Sequence, residues 1–216
     1  MIQYILIDLD GTITDSGEGI TKSVQYALRK MGIEIEDLNS LRKHIGPPLR
    51  DSFMEFYHYD REKANEAVKI YREYYEEKGI FENEVYDGIK EMCQRLSSAG
   101  KKLIVATSKP EVFAKKIMEH FDLAEYFTNI CGSTMDGSRE KKADVIRYTL
   151  EKNHITDLDQ VVMVGDRLHD VIGAKENGLA SIGVLYGFGS RKELEEAGAG
   201  QIAETVKDLE EILMNM

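Results

Sequence analysis

Four short runs of this chain are apolar on both faces: Tyr4 to Leu9, Lys102 to Ala106, Val161 to Val164 and Ser181 to Leu185. Short runs without polar alternation, each separated from the next by residues of helical period, are the pattern of parallel strands buried beneath helices. They predict an α/β sheet. The intervening helices carry their own punctuation. Asp87 is placed to cap a helix bearing Ile89, Met92, Cys93, Leu96 and Ala99, which stops at Gly100. Pro110 suits the first turn of a helix bearing Val112, Phe113, Lys116 and Ile117. The apolar positions of 201–214, namely Ile202, Val206, Leu209, Ile212 and Leu213, should pack that stretch back on the sheet.

Between residues 16 and 84 the pattern changes. No convincing strand occurs there, and helical stretches fall near 17–31, 48–57 and 61–78. The last bears Ala64, Ala67, Val68, Tyr71, Tyr74 and Tyr75, an aromatic stripe that reads as internal packing. The sheet is therefore interrupted after its first strand by a helical insert of about 70 residues. The expected division is a core of 1–15 and 85–216 and an inserted domain of 16–84, with hinges at Thr12 to Ser16 and Asn83 to Gly88.

Composition narrows the functional classes. With 216 residues, 42% of them apolar and 31% charged, the chain has the make-up of a soluble protein with one substantial core. Its formal net charge of -11 excludes nonspecific binding to a nucleic-acid polymer. Cys93 and Cys131 lack metal-ligand spacing and read as reduced, partly buried thiols. The N-terminus is too short and acidic for a signal peptide, and no apolar run is long enough to span a membrane. A cytoplasmic location, as a monomer or weak homodimer, is the expectation.

The candidate chemistry lies at strand ends, where open α/β sheets place their sites. Asp8-Leu9-Asp10-Gly11-Thr12, Thr107-Ser108-Lys109, a lysine near 142 and Gly165-Asp166-Arg167-Leu168-His169-Asp170 all fall there. Asp170 could equally be the cap of the next helix. Asp8 and Asp10 are harder to explain structurally, because carboxylates ending a buried apolar strand are costly without a cation or backbone donors. Gly11 permits the tight turn that aims backbone N–H groups at an anion.

The run Asp8-Leu9-Asp10-Gly11-Thr12-Ile13-Thr14-Asp15-Ser16 resembles the first motif of the haloacid dehalogenase-like hydrolase superfamily. Val105-Ala106-Thr107-Ser108-Lys109 is similar to its second motif, and Val164-Gly165-Asp166 through Asp170 to its fourth. The resemblance implies a doubly wound parallel sheet of Rossmann type with a helical cap domain, as in the phosphoglycolate-phosphatase-like branch. It implies Mg²⁺-dependent hydrolysis of a phosphomonoester on a small phosphorylated metabolite. Asp8 would be the nucleophile that forms an aspartyl-phosphate, and Asp10 the general acid and then base. Mg²⁺ would be held by Asp8, the backbone carbonyl of Asp10, and Asp166, with Asp170 supporting its water ligands. Thr107, a backbone N–H of Ser108 and a lysine would hold the phosphoryl oxygens.

Close relatives often carry Lys-Pro-x-Pro where this chain has Gly137-Ser138-Arg139-Glu140-Lys141-Lys142. Adjacent helical side chains diverge by about 100°, so Lys141 and Lys142 cannot share a face. Lys142 is the expected site lysine, because its face continues through Val145, Ile146 and Thr149. Neighbouring families fit less well. Receiver domains lack the long insert, and dehalogenases proper lack the carboxylate that Asp10 provides. Sugar-phosphate mutases place a histidine where this chain has Ile20. The cap-domain lysine of phosphonate-cleaving relatives has candidates in Lys22, Lys30, Lys43, Lys63, Lys69 and Lys78, which surface charge explains equally well. A non-catalytic phosphate-sensing or partner-binding protein would be expected to lack Asp8 or Asp10.

For the substrate, Arg42, Lys43 and Arg50 flank the rigid Gly46-Pro47-Pro48 segment and either meet a second anionic group or remain solvated. Asp136-Gly137-Ser138-Arg139 and Tyr186-Gly187-Phe188-Gly189-Ser190 resemble a 5′-nucleotidase-like subgroup. There Arg139 would assist phosphate or ribose recognition, or else cap local carbonyls, and Phe188 would border a base or sugar, or else pack. The expected activity is 5′-nucleotidase on free nucleoside monophosphates; the alternative is phosphoglycolate phosphatase or a broad small-metabolite phosphatase.

Overall fold

A computed structural model describes residues 1–216. The chain divides into two compact units, 1–14 with 85–216, and 15–84. The first division therefore falls one residue before the expected position.

The core begins with β1 (Tyr4–Ile7), whose Ile5, Leu6 and Ile7 are fully buried. The chain leaves it through β2 (Thr14–Asp15) and returns through β3 (Glu84–Val85). Between them lie the helices of the cap domain, α1 (Gly17–Lys30), α2 (Leu49–Tyr57) and α3 (Arg61–Tyr74). The expected helix over 61–78 ends as an α-helix at Tyr74 and continues as a π-helical turn, Tyr75–Gly79. The segment Leu38–His44 forms a 3-10 helix capped by the Asp37 side chain. Helix α1 buries Ile20, Val24, Ala27 and Leu28, and α3 buries Ala64, Ala67 and Tyr71. Gly19 lets the α1 backbone approach the Tyr75–Gly79 turn, since a Cβ there would lie 1.9 Å from the Gly79 carbonyl oxygen.

The remaining core alternates α4 (Ile89–Ser98), β4 (Lys102–Pro110), α5 (Glu111–His120), β5 (Phe127–Ser133), α6 (Lys142–Lys152) and β6 (Val161–Gly165). It ends with α7 (Leu168–Glu176), β7 (Ala180–Val184), α8 (Arg191–Ala197), β8 (Gln201–Ala203) and α9 (Val206–Asn215). The six strands lie in the order β5-β4-β1-β6-β7-β8 and every pairing is parallel. This is a Rossmann-type sheet wound outward in both directions from β1. Its core joins Leu6, Ile104 and Met163 from the strands to Val145, Ile146 and Ala174 from the helices.

Two local expectations are corrected. The position before α4 is taken by Gly88 in the left-handed region, with no side-chain cap, so Asp87 does not cap that helix. Pro110 precedes α5 rather than entering its first turn. The stretch from 201 contributes the edge strand β8 and then α9, which starts after the Thr205 capping box and buries Leu209 and Leu213.

Register positions the chemistry. Ile7 lies opposite Val105 on one side and Val164 on the other. Asp8 follows Ile7 directly, Thr107 lies two residues beyond Val105 within β4, and Asp166 follows the last residue of β6, so the three side chains come from neighbouring strands at a similar level. This is the point where the winding direction reverses, the place where open α/β sheets put their sites.

Candidate active site

The Asp8 N–H donates to the Val164 carbonyl at 2.9 Å, fixing the residue to the central strands as β1 ends. One Asp8 carboxylate oxygen accepts from the Leu9 N–H at 2.8 Å. The chain then turns sharply, with the Thr12, Ile13 and Thr14 N–H groups all converging on the Leu9 carbonyl. Gly11 makes this turn possible at φ 81°. A Cβ there would fall 2.2 Å from Asp166 Oδ2 and 2.7 Å from the Phe188 ring, so the turn packs directly on the site.

Lys142, in the first turn of α6, brings its ammonium 2.7 Å from Asp8 and 2.8 Å from Asp170. It also donates to the Ala106 carbonyl of β4 at 3.1 Å. Lys142 is buried and Lys141 exposed, the division expected from their helical faces. Asp170 accepts from the Arg167 N–H at 3.1 Å, completing a capping box at the start of α7. It thus braces the start of α7 while its carboxylate also meets the Lys142 ammonium. Asp166 is fully buried; one oxygen accepts from the Phe188 N–H at 2.8 Å and the other has no hydrogen-bond partner.

Carboxylate oxygens of Asp8, Asp166 and Asp170 lie within 4.8 Å of one another. Burial, with the Asp170 charge adding to it, pushes Asp8 up to about 6 despite the Lys142 ammonium. Burial and the charges of Asp170 and Asp8 also raise Asp166 well above the usual carboxylate range. Burial opposes the charge on Lys142, but Asp170 and Asp8 outweigh it and raise Lys142. Burial is the larger cause for both carboxylates, and the crowding of negative charge adds to it while favouring the charge on Lys142. A hard divalent cation with oxygen ligands relieves that crowding, and the unpartnered oxygen of Asp166 offers it a ligand. The three carboxylates therefore fit such an ion. The Asp10 side chain is not among them, since its carboxylate pairs with Lys109 at 2.9 Å, which is compatible with ligation through its backbone carbonyl.

Thr107 is buried within β4, where its hydroxyl accepts from the Lys109 N–H at 3.2 Å, and Ser108 is half-buried beside it. Arg139 donates to the Gly132 carbonyl at 3.0 Å and stacks 3.6 Å from the centre of the Tyr148 ring, with Glu111 at 3.9 Å. Of its two open roles, these contacts belong to the capping one. Phe188 packs on the Gly11 turn while its backbone serves Asp166.

In the cap domain, Lys43 lies 4.3 Å from the centre of the Phe56 ring and Arg50 donates to the Asn65 side chain at 2.6 Å. Arg42 lines a cleft of about 330 Å³ with Asn39, Asn83 and the acidic Asp15, Glu18, Glu82 and Glu84.

Sequence reasoning missed two parts of the core site. Lys109 was visible only as the residue after Thr107-Ser108, with nothing in its spacing to tie it to Asp10. Glu193 accepts from Arg167 Nε at 2.8 Å and the Leu168 N–H at 2.9 Å, bracing the turn that delivers Asp166 and Asp170. No local motif marks it.

The fold, the capped organisation and this cluster define a hydrolase, and the chain belongs to the haloacid dehalogenase-like hydrolase family, whose model matches residues 5–184. It is 50% identical over 190 residues to a 5′-nucleotidase of Pseudomonas aeruginosa, a match covering 88% of this chain and 86% of that one. It is 35% identical over 213 residues to the tyrosine-protein kinase PtkA of Mycobacterium tuberculosis, covering 98% and 72% respectively. Among solved structures, a predicted phosphatase from Clostridium acetobutylicum superposes with a TM-score of 0.98 at 53% identity over the whole of both chains.

Proposed function

We propose that this protein is a Mg²⁺-dependent 5′-nucleotidase that hydrolyses nucleoside monophosphates through an aspartyl-phosphate on Asp8. The observation that carries the phosphatase chemistry is the buried cluster of Asp8, Asp166 and Asp170 around the Lys142 ammonium. The nucleotide preference is supported by the likeness to the Pseudomonas aeruginosa 5′-nucleotidase.

Asp8 Oδ attacks phosphorus while the ester oxygen departs on the opposite side and takes a proton from Asp10. The products of this step are the aspartyl-phosphate and a nucleoside. A water then attacks the same phosphorus and gives its proton to Asp10; the acyl-phosphate P–O bond breaks, releasing phosphate and restoring Asp8. Lys142 offsets charge on the phosphoryl oxygens, which Thr107 and the Ser108 N–H also hold. Asp8, Asp166 and the Asp10 carbonyl would hold Mg²⁺, with Asp170 beside them, and the ion supplies charge neutralisation for the phosphoryl group.

Phosphoglycolate is the alternative substrate. Its carboxylate would call for a cationic partner that a nucleoside does not need. Phosphate release with Mg²⁺ and with EDTA, over a panel of AMP, GMP, UMP, phosphoglycolate, glucose-1-phosphate and acetyl phosphate, tests the reading. Metal-dependent turnover preferring the nucleotides is expected. Preference for phosphoglycolate would transfer the assignment, and no turnover of any ester would leave a phosphate-sensing role.

A further inference from the structure

The core site holds two buried lysines, and each pairs with a different carboxylate of the first motif. Lys142 is on Asp8 at 2.7 Å, and Lys109 is on Asp10 at 2.9 Å. The Lys109 side chain is only 5% exposed and that of Asp10 only 13%. Both residues lie in rigid surroundings. Lys109 belongs to β4, and its N–H is tied to the Thr107 hydroxyl. Asp10 lies in the turn that closes on the Leu9 carbonyl. A buried ammonium meeting a buried carboxylate restricts that carboxylate far more than solvent would.

We infer that Lys109 is a positioning residue, whose ammonium holds the Asp10 carboxylate where it takes the proton of the attacking water. The inference rests on the reading of Asp10 as the acid and base of a phosphatase. It assigns Lys109 chiefly to the second step, because the ion-paired carboxylate is the form that accepts a proton. A displacement of about 1 Å in such a base costs on the order of 10²-fold in rate.

p-Nitrophenyl phosphate separates the two steps, since its leaving group departs without needing a proton. Stopped-flow turnover of this ester with Mg²⁺ is compared for the wild type, Lys109→Met and Lys109→Arg. Lys109→Met should lower kcat about 10²-fold yet form the aspartyl-phosphate readily. A burst approaching one nitrophenolate per site should then precede slow turnover, and acid quenching should trap the phosphoenzyme. Lys109→Arg should recover part of kcat and lose the large burst. The burst itself counts folded sites, so an unfolded variant cannot imitate this result. A kcat within threefold of the wild type, or a fall in kcat with no burst, overturns the role of Lys109. Absence of wild-type turnover would instead overturn the phosphatase reading beneath it.

Discussion

Replacing Lys142 with Met removes the ammonium that Asp8 and Asp170 share while keeping most of the side-chain volume. Both contacts are shorter than 3 Å, and all three side chains are at least nine-tenths buried. Breaking a buried pair by deleting one partner costs about 3–5 kcal/mol, because a charge is stranded without water. Here the cost has a ceiling set by protonation. Asp8 already titrates near pH 6 with Lys142 present. Holding a proton on such a group at pH 7 costs only about 1.4 kcal/mol, and less once the lysine is gone. The folded variant therefore binds protons more tightly than the unfolded chain, so its stability falls as pH rises through the folded-state pKa.

Urea unfolding of both proteins at pH 5.5, 7 and 8.5, in EDTA and in Mg²⁺, checks this. In EDTA the variant should be about 3 kcal/mol less stable at pH 8.5, with a gap that narrows towards pH 5.5. Mg²⁺ should stabilise the folded state by about 2.7 kcal/mol at a hundred times its dissociation constant. Turnover should drop on the order of 10²–10³-fold even with Mg²⁺, since phosphoryl charge loses its ammonium. Equal stabilities in EDTA at pH 8.5, or a gap unchanged between pH 5.5 and 8.5, would refute the argument that Lys142 compensates buried carboxylates.

Three further outcomes are expected. Asp8→Asn should retain the fold but release no phosphate; multiple turnovers, with deamidation excluded by mass spectrometry, would remove Asp8 as nucleophile. Gly11→Ala should lose at least tenfold in Mg²⁺ affinity and turnover, because its Cβ meets Asp166 at 2.2 Å. Gly32→Ala, at a similar φ but with nothing within 4 Å, should cost only about 1 kcal/mol of stability, so equal effects on turnover would refute the contact argument. His44 is buried among Phe53, Phe56 and Tyr57 with neither ring nitrogen partnered, and burial, with Lys43 nearby, lowers it to about 4. Its stabilising contribution is complete above the unfolded pKa of 6.5 and is lost as pH falls towards 4. Between pH 7 and 5 the wild type should therefore lose about 2 kcal/mol more than His44→Phe in urea unfolding, and parallel pH profiles would disprove this.

The interior of the sheet was legible because β1 and β6 are surrounded on both faces and carry uninterrupted apolar side chains. Its edges were not. β5 carries Thr128 and Asn129 within it, and its burial is mixed because it has a neighbour on one side only. β8 is three residues long, too short to show a period. In the cap domain, the π-helical turn after Tyr74 keeps side chains near helical spacing, so the end of α3 was blurred. The site divides similarly. Lys142 could be separated from Lys141 because its helical face carries Val145, Ile146 and Thr149, which are buried. Lys109 could not be linked to Asp10, because their pairing depends on the register of β1 with β4 rather than on local spacing.

That register also determines the charge balance from which the chemistry follows. In their ionised forms, Asp8, Asp10, Asp166 and Asp170 carry four negative charges, and Lys109 and Lys142 return two. The remaining deficit is two positive charges, the charge of a single Mg²⁺. A phosphate monoester approaching without that ion would bring further negative charge to carboxylates already raised in pKa by burial and by one another. Lys109 is paired with Asp10 and Lys142 must be shared between Asp8, Asp170 and the phosphoryl group, and the chain as a whole carries a net charge of -11 that offers no long-range attraction. Phosphate binding should therefore depend on the cation as strongly as turnover does. Protonating Asp8 instead would relieve the repulsion but silence the nucleophile, so only the cation satisfies the site in a reactive form.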